Sequence, residues 1–305
     1  MGEFIPGGVW LDTNGKRIQA HGGSVICLKH VYYWYGENKE KTDGKNGIWH
    51  WGVRCYKSSD LYNWEDCGII IPPDTENPES PLYPENCMDR PHIIYNQKRK
   101  KFICWLKIME KDGKAYYYFE RVHSELICAD LTEDYTNVTG YYSTHFPRLY
   151  PPFVREAPAH FMRNGKHYLI TSGTTGYYPN PSEVAVADTW HGPYRELGLI
   201  HRQDESKTSF HSQISSVFKV EGKKDLYIAC ADRWLPEHMD RKYENYSRIF
   251  ELLFSGRRDE ISPDMMGEAV IENTAIVDYV WLPIFFDGDR PYIKWMDTWS
   301  LDDFA

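Results

Sequence analysis

Glu156-Ala157-Pro158-Ala159-His160-Phe161-Met162-Arg163-Asn164-Gly165-Lys166-His167-Tyr168-Leu169-Ile170 holds two strand-like runs joined by two residues. Asn164-Gly165 suits the positive φ angles of a type I′ turn, whose twist matches the strands on either side. The stretch therefore reads as a β-hairpin. Pro158 cannot donate to a ladder inside a central strand, so it marks a strand's entrance. Glu156, two residues ahead of it, then stands at the rim of a sheet.

The same arrangement recurs along the chain. Units open near His21, Asp89, Glu156 and Gln213, and their second strands are Val31–Tyr35, Lys101–Trp105, Lys166–Ile170 and Asp225–Ala229. Each interval has room for four strands, and four-stranded sheets repeated in sequence make a β-propeller, an all-β fold that leaves only short, protected edges. Its innermost strands converge on one axis, so the polar residues opening the units meet in a central funnel. No linker rich in Pro, Gly or Ser interrupts the 305 residues, which predicts one domain over 1–305 with four complete units. Helical spacing is confined to Tyr243–Phe254, where Tyr246, Ile249, Phe250 and Leu253 recur.

Composition narrows the function. A net charge of −9 argues against nucleic acid as a partner, because phosphate binding needs clustered Lys and Arg. The longest apolar run, Tyr279–Phe286, is too short to span a bilayer, and no membrane partner is expected. Met1–Pro6 has neither a basic nor an apolar signal region, from which a cytoplasmic location is the expectation. The cysteines, 7 in number, include no CxxC pair and read as small buried hydrophobes in a reducing compartment. No HExxH, EF-hand or Gly-rich phosphate loop is present, so neither a metal nor a cofactor is expected. Aromatic residues reach 15%, with 23 Tyr and 11 Trp, a bias that suits stacking on sugar rings.

Two units place a carboxylate two residues before a proline: Asp89-Arg90-Pro91 and Glu156-Ala157-Pro158. The plain alternative is that Asp89 and Glu156 pair with their neighbours Arg90 and Arg155. Facing each other across a funnel, the two carboxyl groups can instead cleave a glycosidic bond, one protonating the leaving oxygen and the other keeping it protonated. Glu156, among Ala157, Pro158 and Ala159, is the better acid candidate.

At this point the motifs resemble glycoside hydrolase family 43. His21-Gly22-Gly23, Tyr33-Trp34-Tyr35-Gly36-Glu37 and Ser58-Ser59-Asp60-Leu61-Tyr62-Asn63-Trp64 are similar to its first blade. Asp89-Arg90-Pro91 resembles the Glu-Arg-Pro element of the branch containing exo-β-1,3-galactanases. Glu156-Ala157-Pro158 with Gly176-Tyr177-Tyr178-Pro179-Asn180-Pro181 is similar to that branch's acid blade, and Ser212-Gln213, Asp232-Arg233-Trp234 and Tyr279–Pro283 to its closing blade.

The resemblance implies a five-bladed propeller and an inverting, exo-acting glycosidase that removes a terminal sugar, with β-1,3-linked galactose the first choice. An α-L-arabinofuranosidase or β-xylosidase of the same fold, or a propeller that binds an oligosaccharide without cleaving it, are the alternatives. It makes Glu156 the general acid, Asp89 the pKa-modulating carboxylate and Gln213 the holder of the attacking water. An Ala-His-Gly segment with His21 replaces the aspartate base that most of the family keeps in the first blade. His21, Glu37, Tyr177, Asn180 and Arg233 become sugar-binding candidates, with Trp34, Trp49, Trp51 and Trp234 for stacking. Two departures stand out. Between Asp89 and Glu156 about one blade is missing, with an acidic sugar-binding element. Between Trp234 and Tyr279 the chain is longer than expected, making residues 236–278 an inserted cap or contact segment.

Overall fold

The computed structural model describes residues 2–105, 109, 110, 115–121, 123–266 and 272–305. Strands dominate it. The first sheet is β1 (His21–Leu28), β2 (Val31–Glu37), β3 (Val53–Ser58) and β4 (Glu65–Ile71) in consecutive antiparallel order. β5 (His92–Asn96) and β6 (Lys101–Trp105) form a two-stranded sheet of their own. β7 (Met109–Glu110), β8 (Ala115–Arg121), β9 (Glu125–Leu131) and β10 (Val138–His145) form the next. β11 (Glu156–Arg163), β12 (Lys166–Ser172), β13 (Glu183–Ala187) and β14 (Arg195–Leu199) follow. The last sheet is β15 (Gln213–Lys219), β16 (Tyr227–Arg233), β17 (Asp278–Asp287) and β18 (Arg290–Tyr292).

Among the described residues the propeller therefore has four four-stranded sheets and one two-stranded sheet. β1 and β11 both lie against β15, β5 lies against β1, and β8 lies against β11, so these five strands surround the axis. Ile94 of β5 packs with Leu131 and Tyr135, joined by Trp105 and Tyr117, which closes the ring between the hairpin and its neighbour. The four complete units are the four four-stranded sheets, and the β5–β6 hairpin is a shorter fifth element beside them. The unit opening at Asp89 contains two sheets among the described residues, β5–β6 and β7–β10.

Local chemistry explains the elements. The β11–β12 turn has Asn164 at φ 52° and Gly165 at φ 77°, the left-handed pair its sequence implies. β15, β16 and the middle of β17 are buried on both faces, as expected of strands between a ring of sheets and its core. Trp34, Trp64, Trp281 and Trp299 are each no more than 2% exposed and pack together with Phe4 and Trp10 under the first and last blades. Trp34 is thus core, not a sugar platform. α1 (Tyr243–Phe254) forms where helical spacing placed it, in the long connection between β16 and β17, with Tyr246 and Leu252 as its buried residues. Of the cysteines only Cys55, Cys128 and Cys230 are buried. Cys27, Cys67 and Cys104 are exposed because alternation along a strand turns successive side chains to opposite faces, and Cys87 is exposed in the loop before β5. No helix among the described residues is long and apolar enough to cross a membrane.

A second aromatic core sits between the β7–β10 and β11–β14 blades and encloses histidines. His160 Nε2 lies 3.0 Å from His167 Nδ1 and stacks on Trp190, while His145 packs edge-on against Tyr194. Burial pushes the His145 imidazole down to about 4 and holds His160 well below its ordinary value. Groups depressed in the folded state contribute stability that is complete above the ordinary value of 6.5 and is lost as the pH falls through about 4. The urea midpoint should accordingly decline between these limits, and His145→Gln should flatten the decline. A midpoint independent of pH in that window would contradict this account.

Candidate active site

Three of the inner strands, β1, β11 and β15, open on a paired residue and soon meet an irregularity that re-aims the chain. His21 pairs with Glu37, Glu156 with Ser172 and Gln213 with Asp232, and in each case the register then shifts. Gly22 and Ala157 carry φ of 57° and 50° at these points. Such bulges bend a strand and redirect a side chain, here toward the axis. Ahead of Gln213, Ser209, Phe210 and His211 all take positive φ (55°, 58° and 57°), a conformation that costs about 1–2 kcal/mol per non-glycine residue. Polar contacts hold it. Asp204 Oδ2 accepts from Thr208 N and Ser209 N at 2.9 and 2.6 Å, Ser209 Oγ donates to Asn180 O at 2.8 Å, and Arg233 donates to Phe210 O at 3.1 Å.

The funnel encloses about 330 Å³ and is lined by Glu37, Trp49, Asp89, Arg90, Tyr117, Phe119, Glu120, Glu156, Ala157, Gly176, Tyr177, Gln213 and Trp234. Asp89, Glu156 and Gln213, distant in sequence, share this one cavity. A chain of hydrogen bonds crosses it. Arg90 N donates to Glu37 Oε1 at 2.8 Å, the Arg90 guanidinium donates to Gln213 Oε1, and Gln213 Nε2 donates to Glu156 Oε1 at 2.9 Å. Gln213 Nε2 also donates to Ser172 Oγ at 2.8 Å, and its Oε1 accepts from Trp234 Nε1 at 3.0 Å. Both amide hydrogens and both oxygen lone pairs are engaged, which fixes the orientation of the amide. Because Glu156 Oε1 accepts, a proton on this carboxyl resides on Oε2.

A buried cation underlies the opposite side. Lys39 Nζ stands 2.9 Å from Glu37 Oε2, donates to Trp49 O at 2.7 Å and lies 4.8 Å from the centre of the Trp49 ring. Glu37 and Lys39 are each 1% exposed. Burial pushes the Glu37 carboxyl up to about 7; Lys39 opposes the shift and the nearby Asp89 adds to it. Asp89 Oδ1 accepts from Trp49 Nε1 at 2.9 Å, and Cys87 Sγ lies 3.1 Å from its Oδ2. Trp49, Tyr177 and Trp234 form a continuous aromatic wall, with ring centres 5.8 and 5.2 Å apart in turn.

The other sequence candidates lie elsewhere. His21 is fully buried between Asp232 and Gln19 and stacks on Tyr279, with its imidazole lowered by burial. Trp34 belongs to the core, and Trp51 carries the Lys41 ammonium rather than lining the funnel. Asn180 is spent on Gly173 and Thr175, and Arg233 on the turn before Gln213, so both position the loops around the site. Nor do the arginines beside the two carboxylates simply neutralise them: Arg90 reaches Glu37 and Gln213, and buried Arg155 donates to Thr171 and lies 3.5 Å from Glu183.

Sequence reasoning missed Lys39, Arg90, Tyr117, Phe119 and Glu120. The last three come from β8, and Glu120 supplies an acidic side chain where the sequence reading found such an element missing. Period-two alternation was the available signal, since Tyr116 and Tyr118 go to the core while Tyr117 and Phe119 face the funnel. Among the described residues no cluster of His, Cys, Asp or Glu is arranged to hold a metal.

Lys39→Met would leave a buried carboxylate without its counter-charge and should lower stability by about 3–5 kcal/mol in denaturant unfolding. Adding Glu37→Gln should recover much of that loss. Equal stability of wild type and Lys39→Met would show that the pair is not desolvated.

The model of glycosyl hydrolases family 43 matches residues 93–249. Among solved structures, a family 43 β-1,3-galactosidase is 25% identical with a TM-score of 0.77; the match covers 100% of this chain and 65% of that one. A second family 43 β-1,3-galactosidase, solved with galactodeoxynojirimycin, is 24% identical with a TM-score of 0.76, covering 98% of this chain and 100% of the other. An exo-β-1,3-galactanase from Phanerochaete chrysosporium, solved with β-1,3-galactotriose, shares the fold at 22% identity and a TM-score of 0.76, covering 99% of this chain and 68% of the other. No curated protein sequence matches. With more than half of its length matched by the family model, this chain belongs to glycosyl hydrolases family 43.

Proposed function

We propose that the protein is an exo-acting glycoside hydrolase that releases a terminal β-1,3-linked galactose from an oligosaccharide, by single displacement with inversion. The observation that carries this reading is the meeting of Glu156, Asp89 and Gln213 in one aromatic-walled funnel. Glu156 donates the Oε2 proton to the leaving oxygen, while Gln213 holds the carboxyl by its other oxygen. Asp89 is the second negative charge that keeps the acid protonated. The attacking water is received by the Gln213 amide oxygen in exchange for one of its present donors. As the C–O bond forms, the water's proton passes to Gln213 Oε1 while Nε2 gives one to the Glu156 carboxylate at Oε1, 2.9 Å away. The imidic form so produced reverts to the amide. Glu37, Glu120 and Arg90 bind sugar hydroxyls, and Trp49, Tyr177 and Trp234 stack on ring faces. The galactose assignment draws on the printed activities of the similar structures.

A second reading, an oligosaccharide-binding propeller without hydrolysis, has one observation in its favour. His21, in the segment that replaces the aspartate base most of the family keeps, is buried at 0% exposure and out of reach of the funnel. Assaying the wild type on β-galactosides, α-L-arabinofuranosides and β-xylosides separates the two, since release of no sugar from any of them favours binding alone.

Glu156→Gln should lower release of the terminal sugar by about 10²–10⁴-fold, the usual contribution of a general acid, with oligosaccharide affinity preserved. Full activity in this variant would remove Glu156 from the reaction. In Asp89→Asn the basic limb of the pH–rate profile should move to lower pH, because the acid loses the charge that retains its proton. An unmoved limb would count against that pairing. Product analysis by NMR should show the inverted anomer first.

A further inference from the structure

Four residues outside the funnel form a polar line of their own. Asp130 lies on β9, Ser143 and His145 on β10, and His191 in the connection between β13 and β14. Ser143 pairs with Cys128, and side chains alternate along a strand, so Ser143, His145, Cys128 and Asp130 share one face of the sheet. His191 reaches that face from the adjoining blade. Its Nε2 stands 2.6 Å from Asp130 Oδ1 and its Nδ1 2.7 Å from Ser143 Oγ, which is also 2.9 Å from His145 Nε2. None of the four lines the funnel.

The proton inventory gives the line one direction. A carboxylate only accepts, so His191 Nε2 carries the proton offered to Asp130, and in the neutral ring Nδ1 is then an acceptor. Ser143 donates to it. With its one proton spent, the Ser143 hydroxyl accepts from His145, which places a proton on His145 Nε2. Burial keeps the His145 ring neutral above about pH 4. A hydroxyl is thus aimed at a basic nitrogen whose ring is oriented by a carboxylate, the arrangement that turns a serine into a nucleophile. The line is open to solvent: Ser143 and His191 are partly exposed, and Ser143 stands between exposed Tyr142 and Thr144. Tyr141, 62% exposed, and Tyr116 meet the His191 ring edge-on, with ring centres 4.9 and 5.7 Å away.

We propose that Ser143, His191 and Asp130 form a second reactive site, one that hydrolyses small carboxylic esters with His145 as the donor to the oxyanion. Ser143 Oγ attacks the carbonyl carbon as its proton passes to His191 Nδ1, and Asp130 stabilises the imidazolium. The carbonyl oxygen takes the negative charge and receives the His145 Nε2–H bond that Oγ gives up. On collapse the bond to the alcohol oxygen breaks, and that oxygen takes the proton from His191 Nδ1. Water then adds to the acyl-serine and gives its proton to His191 Nδ1. The second collapse breaks the bond to Oγ, which recovers that proton, and a carboxylic acid leaves. Ester and water become acid and alcohol. This site is independent of the glycosidase reading.

A fluorophosphonate probe, which captures activated serines, tests the site when its adduct is mapped by peptide mass spectrometry. The wild type should carry the adduct on Ser143 and should turn over p-nitrophenyl acetate. His191→Ala should slow labelling of Ser143 by about 10²–10⁴-fold, the usual contribution of a general base, and Ser143→Ala should abolish steady-state turnover of the ester. A cooperative urea transition in each variant reports that it is folded. The wild-type adduct needs no variant, and an unmodified Ser143 there would overturn the site. Undiminished labelling in folded His191→Ala would also overturn it, by showing that the histidine only ties the two blades together.

Discussion

The site depends on one line of hydrogen bonds, Glu37–Arg90–Gln213–Glu156, that runs across the propeller axis. Its four members come from four blades or their entrances, and each occupies a strand-opening or strand-closing position. A propeller offers little continuous backbone between blades at its centre, so side chains supply the linkage there. Once Gln213 has all of its donors and acceptors engaged, Arg90 and Glu156 cannot move independently. This is preorganisation through Gln213, whose fully engaged amide ties the side chains on either side of it to one position.

That network is expensive to assemble. Three consecutive residues before Gln213 hold left-handed backbone, Glu37 and Lys39 are removed from water, and Asp89 is placed close enough to raise the Glu37 carboxyl. Strain and desolvation of this kind persist only where surrounding structure compels them. Here the compulsion comes from the aromatic core beneath. Trp34, Trp64, Trp281 and Trp299 lock the first blade to the last, and the contacts of Asp204, Asn180 and Arg233 hold the turn between them.

Much of the fold was legible because it rests on short-range signals. Asn164-Gly165 dictates its hairpin through backbone sterics, and Pro158 and Pro91 mark strand entrances wherever they occur. Asp89, Glu156 and Gln213, which meet in the funnel, were visible as the polar residues opening their units. What escaped was set by long-range contact. Lys39, in Asn38-Lys39-Glu40-Lys41, reads as part of a solvated charged loop, and only the tertiary approach of Glu37 and Trp49 buries it. Arg90 and Arg155 read as partners of the carboxylates beside them, yet each arginine reaches away, to Gln213 and to Thr171. His21, Asn180 and Arg233 were assigned to the sugar because polar residues near an axis invite it; burial instead makes them supports. The β5–β6 sheet was hidden because it shares one interval with β7–β10, and the spacing of the unit openers counts that interval once.

The central claim is that the Gln213-held carboxyl of Glu156 faces the scissile bond inside the funnel. A crystal structure of the Glu156→Gln variant with β-1,3-linked galactobiose addresses it directly. The account predicts the terminal galactose in the funnel beside Trp234 and Tyr177, with the glycosidic oxygen within hydrogen-bond distance of the side chain at position 156. A disaccharide seated with that oxygen turned away from position 156, or bound outside the funnel, would contradict it.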